Sequence, residues 1–415
     1  MESGSGIAGS VDALELEPSR AARGPGFRDW LLVCIAIAYV LYCREAYASW
    51  RLFTSMGVDY RAWWSAGELV RRGDFARVYD LTALGSQQNL LDVYSRGGKP
   101  FEVLPVVYQP FYIQFLVVLA WLPPVVGCMI WTCGQGFAVA AYLAFFLRRR
   151  SVLVEKRRLF LAAMLSLPIF LDLYFAQVSG LLIIPVAEMF YCLARGQTAR
   201  AGLWLSLWTL KTQCLLSLIP CLLLTGHWRL LGWALVGREG FADWVYLVGH
   251  YRSEYGNWPF GMTNWRMAGL TLDHPAVTWV GMTLTFLATL WMWRRSQQIP
   301  TEWLALGTVP ATLLFTWHAQ PHMTCILIPV LWMAVEIGLP EWVLWSWYLL
   351  PACALAFELV VLPLGFRVDL ADAWARFGAL HAHLLFSFEL CLLLWSLWGC
   401  RLQESTGKSK GENQV

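Results

Sequence analysis

Successive apolar runs constrain this chain more than any other feature. Most are roughly 15–25 residues, long enough to cross a hydrocarbon core about 30 Å thick. They lie near 30–48, 108–122, 125–147, 159–174, 178–194, 200–211, 213–225, 230–248, 274–293, 301–316, 322–338, 341–363 and 379–400. With 58% hydrophobic and only 14% charged residues among 415, a soluble fold would lack the polar surface to cover itself. Many of the 25 Trp stand near run ends, as interfacial anchors do. The chain therefore reads as an all-α, polytopic membrane protein of about 12–13 transmembrane or re-entrant helices. One membrane domain covers 29–400. The tails 1–28 and 401–415 flank it, and the Gly-, Ser- and Ala-rich first tail has the composition of a disordered segment.

Basic clusters set the expected orientation. Arg148-Arg149-Arg150, Lys156-Arg157-Arg158, Arg195, Arg200, Arg229, Arg294-Arg295, Arg401, Lys408 and Lys410 are placed in the cytoplasm by the positive-inside rule. Residues 50–107 then fall outside, with the turns near 172–178, 211–213, 249–273, 317–322 and 364–378. The Lys and Arg of 50–107 vote the other way, but a loop of this length translocates largely regardless of charge. Pro110, Pro123 and Pro124 make 108–122 a re-entrant or interfacial element, which keeps the crossing count odd. Segments 200–211 and 213–225 are two short crossings or one long helix. The first run follows Arg23 and Arg28 and lacks a small-x-small cleavage site, so an uncleaved helix is expected. The 11 Cys lie in or beside apolar runs, without CxxC or zinc-ribbon spacing, and read as small buried hydrophobes.

The loop carries a helical pattern over Val58–Val70, where Trp63, Ala66 and Val70 share a face. It reads as an amphipathic helix on the membrane surface, with Asp59 at its start. Asp59 is either an N-cap or a general base that takes a proton from an acceptor hydroxyl.

Ionisable residues at the outer face or within membrane depth are the other candidates. Lys211, between two apolar runs, either clamps a phosphate or snorkels to the interface. Asp172 and Gln177 flank an outer turn and suit sugar hydroxyls, or a plain turn. Asn264-Trp265-Arg266 belongs to an aromatic loop with Tyr251, Tyr255, Trp258 and Phe260, suited to sugar stacking and anion pairing or to simple anchoring. His318 and His322 have the spacing of a two-histidine metal site. Pro321 would break that helix and no HExxH glutamate is present, so contact to a phosphate or hydroxyl is preferred over metal. His381 and His383 have no convincing partner, and Asp369 and Asp372 read as loop or capping residues. No DxD, Walker A, GxGxxG or GxSxG motif occurs, which disfavours nucleotide-sugar and ATP enzymes, and no cofactor or metal is called for. The small net charge of +3 gives no argument for nucleic acid.

The order of motifs resembles glycosyltransferase family 87. These are polyprenol-phosphate-sugar-dependent membrane transferases of the GT-C fold, among them α-1,2-mannosyltransferases of glycolipids and lipoglycans. Asp59-Tyr60-Arg61-Ala62-Trp63-Trp64-Ser65-Ala66-Gly67, then Val78-Tyr79-Asp80, is similar to the family's first-loop signature. Tyr108-Gln109-Pro110-Phe111 through Trp121-Leu122-Pro123 is similar to its Tyr-Pro-Pro-Phe to Leu-Pro segment. Ala176-Gln177 stands where the family has Gly-Gln. Lys211, Asn264 to Leu270 and Trp317 to Pro329 match its later motifs in order. Gln109, Ala176, Trp265-Arg266 and the lack of a Pro soon after Lys211 depart from the pattern.

The resemblance implies a GT-C-type bundle and a metal-independent, inverting hexosyl transfer, most simply of mannose, from a polyprenyl-phosphate sugar to a glycan or glycolipid hydroxyl at the periplasmic or exterior face. Asp59 would be the base. His322, Lys211, Gln177, Arg266, Asn264, His318 and Tyr108 would hold the substrates. Two rivals from other classes are a lipid-linked-sugar flippase and a non-catalytic scaffold. The flippase would carry ionisable groups deep in several helices and paired repeats. The scaffold would be indifferent to Asp59→Asn.

Overall fold

The computed structural model describes residues 26–49, 56–91, 103–106, 110–153, 155–231, 261–366 and 379–412, and every regular element among them is helical. The expected apolar segment beyond Leu231, the loop aromatics at 251–260, Tyr108, Asp369 and Asp372 lie outside the described residues.

The helices are α1 (Phe27–Ser49), α2 (Val58–Arg71), α3 (Leu81–Asn89), α4 (Pro110–Ala120), α5 (Pro124–Arg148), α6 (Lys156–Met164), α7 (Leu167–Phe175), α8 (Ile183–Ala194) and α9 (Thr198–Ser206). They continue as α10 (Leu218–Leu224), α11 (Trp228–Leu231), α12 (Trp265–Thr271), α13 (Pro275–Arg294), α14 (Thr301–Phe315), α15 (Leu327–Glu336), α16 (Glu341–Phe366) and α17 (Leu380–Glu412). This is a polytopic membrane protein. Among the described residues, 4 helices are long and apolar enough to cross a bilayer, or up to 6 if each bent pair is one span. α5 and α13 turn Met129, Ile130, Phe137, Trp279, Leu284 and Leu287 outward, as lipid contact requires. α14 is buried from Trp303 to Leu314 and forms the centre, the position expected of a helix apolar all round.

Several long apolar runs are split, and the sequence explains the breaks. Ser166 and Pro168 end one helix and start the next, bending α6 against α7 by 43°. The stretch 200–225 is neither two plain crossings nor one straight helix. It runs through α9 into a 3-10 segment, Leu207–Leu215, and then turns by 110° into α10. Lys211 marks a kink inside that segment, with φ −130° and ψ 73°.

One end of the bundle is laced by ion pairs. Arg158 meets Asp29 at 2.8 Å, Arg149 meets Glu188 at 2.8 Å and Arg150 meets Glu336 at 2.6 Å. The basic cluster 148–158 thereby ties the start of α1 to the ends of α5 and α15. At 1.5 Å per residue, α5 is about 37 Å long, so its Pro124 end stands a bilayer's thickness away.

At that far end, α2 departs from the expected surface helix. It is buried around most of its circumference, Arg61, Ser65 and Glu68 included, because α4 and α5 close over it. Trp64 Nε1 donates to the Leu122 carbonyl at 3.1 Å, and the Trp63 ring meets Trp131 edge-on at 5.1 Å. Glu68 is neutralised by Arg71 and Arg72, each at 2.7 Å. Asp80 caps α3 through Thr82 N at 2.9 Å, which accounts for the aspartate of the Val78-Tyr79-Asp80 motif. The α2–α4 crossing depends on Gly67, where a Cβ would come within 2.3 Å of the Leu116 carbonyl oxygen. Gly67→Ala is expected to destabilise the protein by about 1–3 kcal/mol, read as a fall in thermal midpoint in detergent.

The two late histidines differ from expectation. His381 does have a partner: its Nδ1 donates to the buried Glu358 Oε2 at 2.7 Å, while the same carboxylate accepts from the Leu380 and His381 amides and caps α17. An acid within one membrane helix capping the next joins residues remote in sequence, which spacing alone does not reveal. His383 Nδ1 donates to the Ala379 carbonyl at 2.9 Å.

Candidate active site

The site is assembled where α2, α5, α7 and two 3-10 segments meet. α2 begins after Gly57, whose φ of 64° suits glycine, and whose amide donates to the Tyr174 carbonyl at 2.8 Å. That bond pins the start of α2 to the end of α7. Asp59 occupies the first turn and caps nothing, so its carboxyl is left for other work. Only part of Asp59 remains exposed.

Gln177 comes from the turn after α7. Ala176 ends that helix in the left-handed region, with φ 56° and ψ 42°, and its carbonyl accepts from Trp131 Nε1 at 3.2 Å. Lys211 Nζ donates to Gln177 Oε1 at 2.6 Å, and the Gln177 amide in turn hydrogen-bonds the Asp59 carboxylate. Lys211, Gln177 and Asp59 thus form one relay. Burial pushes the Asp59 carboxyl above its usual range, while Lys211, the Gln177 hydrogen bond and Arg61 pull it back. The N-terminus of α2 adds a further field that favours the carboxylate.

Glycine is the usual residue for a helix C-terminus of this geometry. Ala176→Gly is therefore expected to stabilise the protein by about 1 kcal/mol, measured as a rise in thermal midpoint with transfer activity retained.

The other histidine-bearing segment closes the site. His322 is buried in the 3-10 segment Pro321–Ile326, against Phe175 edge-on at 6.3 Å, and its Nε2 has no hydrogen-bond partner among the described residues. The Lys211 charge reaches it, and His318 lies within electrostatic range. His318 stands in the preceding connection, so the two imidazoles do not share a helix, as Pro321 requires. Burial, then the Lys211 and Arg266 charges, push the His318 imidazole down to about 4, which leaves it neutral at ordinary pH. Arg266 lies over the Trp317 ring, 4.8 Å from its centroid. Asn264 is wholly buried. Its oxygen accepts from Met267 N at 3.2 Å to cap α12, and its amide donates to the Thr316 carbonyl at 2.8 Å. It shapes the site by binding two segments together.

Asp59, Gln177, Lys211, His318, His322 and Arg266 are therefore brought together from six separate segments of the chain. Asp172, expected at the turn, joins them, and the structure adds Gln135. Asp172 Oδ2 accepts from Gly180 N at 2.9 Å and from Gln135 Nε2, and its charge acts on Lys211 beside that of Asp59. Gln135 was absent from the sequence-level candidates. Its signal was a carboxamide within an otherwise apolar membrane helix, where polar groups need partners.

A carboxylate, a cation and imidazoles in one site suit group transfer to a hydroxyl. The profile of Glycosyltransferase family 87 matches residues 107–319, just over half of the chain. This chain belongs to glycosyltransferase family 87. It is a membrane glycosyltransferase. The matched span holds Gln135, Asp172, Gln177, Lys211, Asn264, Arg266 and His318, whereas His322 lies just beyond its end and Asp59 well before its start. No curated protein and no solved structure matches the chain.

Proposed function

We propose that this glycosyltransferase moves a hexose, mannose in the simplest reading, from a polyprenyl-phosphate donor to a glycan or glycolipid hydroxyl at the non-cytoplasmic face, with inversion. Asp59 takes the proton of the acceptor hydroxyl as its oxygen attacks the anomeric carbon and the lipid phosphate departs on the opposite side. The relay from Lys211 through Gln177 to this largely buried carboxylate is the observation that carries the reading. It keeps Asp59 ionised and oriented despite burial.

The same relay changes the expected part of Lys211. Two carboxylates already share its ammonium, so it serves Asp59 rather than the donor phosphate. The leaving phosphate is better matched by Arg266 on Trp317 and by the unpartnered His322 nitrogen, where developing negative charge gains most from fixed donors. The ion-paired basic cluster at the opposite end supports an active site facing away from the cytoplasm.

The test is transfer by detergent-purified protein. Polyprenyl-phosphate mannose, polyprenyl-phosphate glucose and a nucleotide-linked mannose are offered in turn with a glycolipid acceptor. Transfer from the mannosyl lipid alone, with an inverted anomeric product, is expected. Transfer from the nucleotide sugar would overturn the donor assignment, and a retained anomer would overturn the mechanism.

A further inference from the structure

Resting on the reading of Asp59 as base, we propose that Asp172 is a positioning residue, holding the turn that carries Gln177 and sharing the Lys211 ammonium with Asp59, so that it governs the ionisation of the base. The geometry has three parts. First, Asp172 anchors the turn: its carbonyl accepts from Gln177 N at 2.8 Å, and its Oδ2 accepts from Gly180 N at 2.9 Å and from Gln135 Nε2. The anchor is tight, since a Cβ on Gly180 would lie 2.6 Å from that oxygen.

Second, only one of its two oxygens is engaged by the turn. Oδ1 is buried and has no hydrogen-bond partner among the described residues, so the Gly180 and Gln135 donors both fall on Oδ2. Third, the charged neighbours are few. Asp59 of α2 and Lys211 act on Asp172, and Asp172 acts on the Cys325 thiol. Lys211 in turn feels Asp59, Asp172 and the thiols of Cys214 and Cys325, and its charge reaches His318 and His322, while Arg61 acts on Asp59. From α5 the contact is the neutral Gln135. One ammonium therefore serves two carboxylates, and each claims part of its field. Removing the Asp172 charge hands the whole of Lys211 to Asp59, which then holds its proton less tightly and is a weaker base.

Asp172→Asn tests this, because the isosteric amide oxygen still accepts from Gly180 N. The expected result has three readouts in one pH series. kcat falls severalfold, by at most about 10-fold, the KM for the mannosyl lipid stays within about twofold, and the acid limb of kcat/KM moves down by about one pH unit. A role confined to packing would lower the amount of folded protein or raise KM without moving the limb, and that outcome overturns the proposal. Should Asp172→Asn not yield folded protein, Gly180→Ala keeps the charge but displaces the carboxylate. A lowered kcat with a displaced limb is then expected, and wild-type values for both overturn it. Asp59→Asn is run beside these variants. If it transfers normally, the base assignment has failed. If it is inactive while Asp172→Asn keeps the wild-type limb, only the present inference has failed.

Discussion

Asp59→Asn is expected to lower kcat by about 10³-fold while leaving donor KM within a few-fold, because the loss is of proton transfer rather than of binding. Asn has nearly the shape of Asp and can still accept from Gln177, so the relay geometry survives. The wild-type pH profile supplies an independent check. Asp59 works only when ionised, so activity is full above its folded-state pKa and declines as pH falls through it. Burial places that pKa above the ordinary carboxylate range. The acid limb should accordingly lie above about pH 4, and it should be missing from the residual rate of Asp59→Asn. The stability linkage has the opposite sign. A carboxyl whose folded pKa is raised binds its proton more tightly in the native state, so stability falls as pH rises from the unfolded to the folded value. Activity and stability thus oppose each other at this residue. Normal transfer by Asp59→Asn, or an unchanged acid limb in what remains, would remove Asp59 as base.

How much of this was legible in the sequence depends on the kind of interaction. The membrane fold was plain, because bilayer thickness imposes run lengths that survive any packing detail. The joint location of Asp59, Lys211 and His322 was legible only through the order of the motifs, since no spacing rule links residues so remote. Where apolar runs broke was less legible. Pro168 could be seen, but the kink at Lys211 follows from the side chains it must reach, not from a helix breaker. The burial of α2 was hidden because its period marks one apolar face. The covering of its polar face by α4 and α5 depends on Gly67 and Gly127, two positions with room for no side chain. Asp172 was recognised as a turn residue with an open role, while Gln135 was passed over inside an apolar run. Their pairing is tertiary, and it joins positions 37 residues apart.

Lys211→Met should be the most damaging substitution in the protein. The side chain is buried, its ammonium hydrogen-bonds Gln177, and Asp59 and Asp172 lie in its field. Methionine keeps the length and apolar stem but removes the charge. Asp59 and Asp172 would then lie within reach of each other's charge, in a site largely withdrawn from water, with no cation shared. Breaking a buried charge pair in this way costs about 3–5 kcal/mol, more than the loss of the hydrogen bond alone. A fall in thermal midpoint with loss of transfer is expected, and the stability loss should shrink at low pH, where a carboxyl can take up a proton. The double variant Lys211→Met with Asp172→Asn separates charge from packing. With one carboxylate neutralised, much of the lost stability should return, so the two substitutions should be clearly non-additive. Activity should not return with it, since Asp59 would still lack the cation that keeps it ionised. Additive destabilisation in the double variant would mean that Lys211 holds the fold through its stem, and that no shared ammonium joins the two carboxylates.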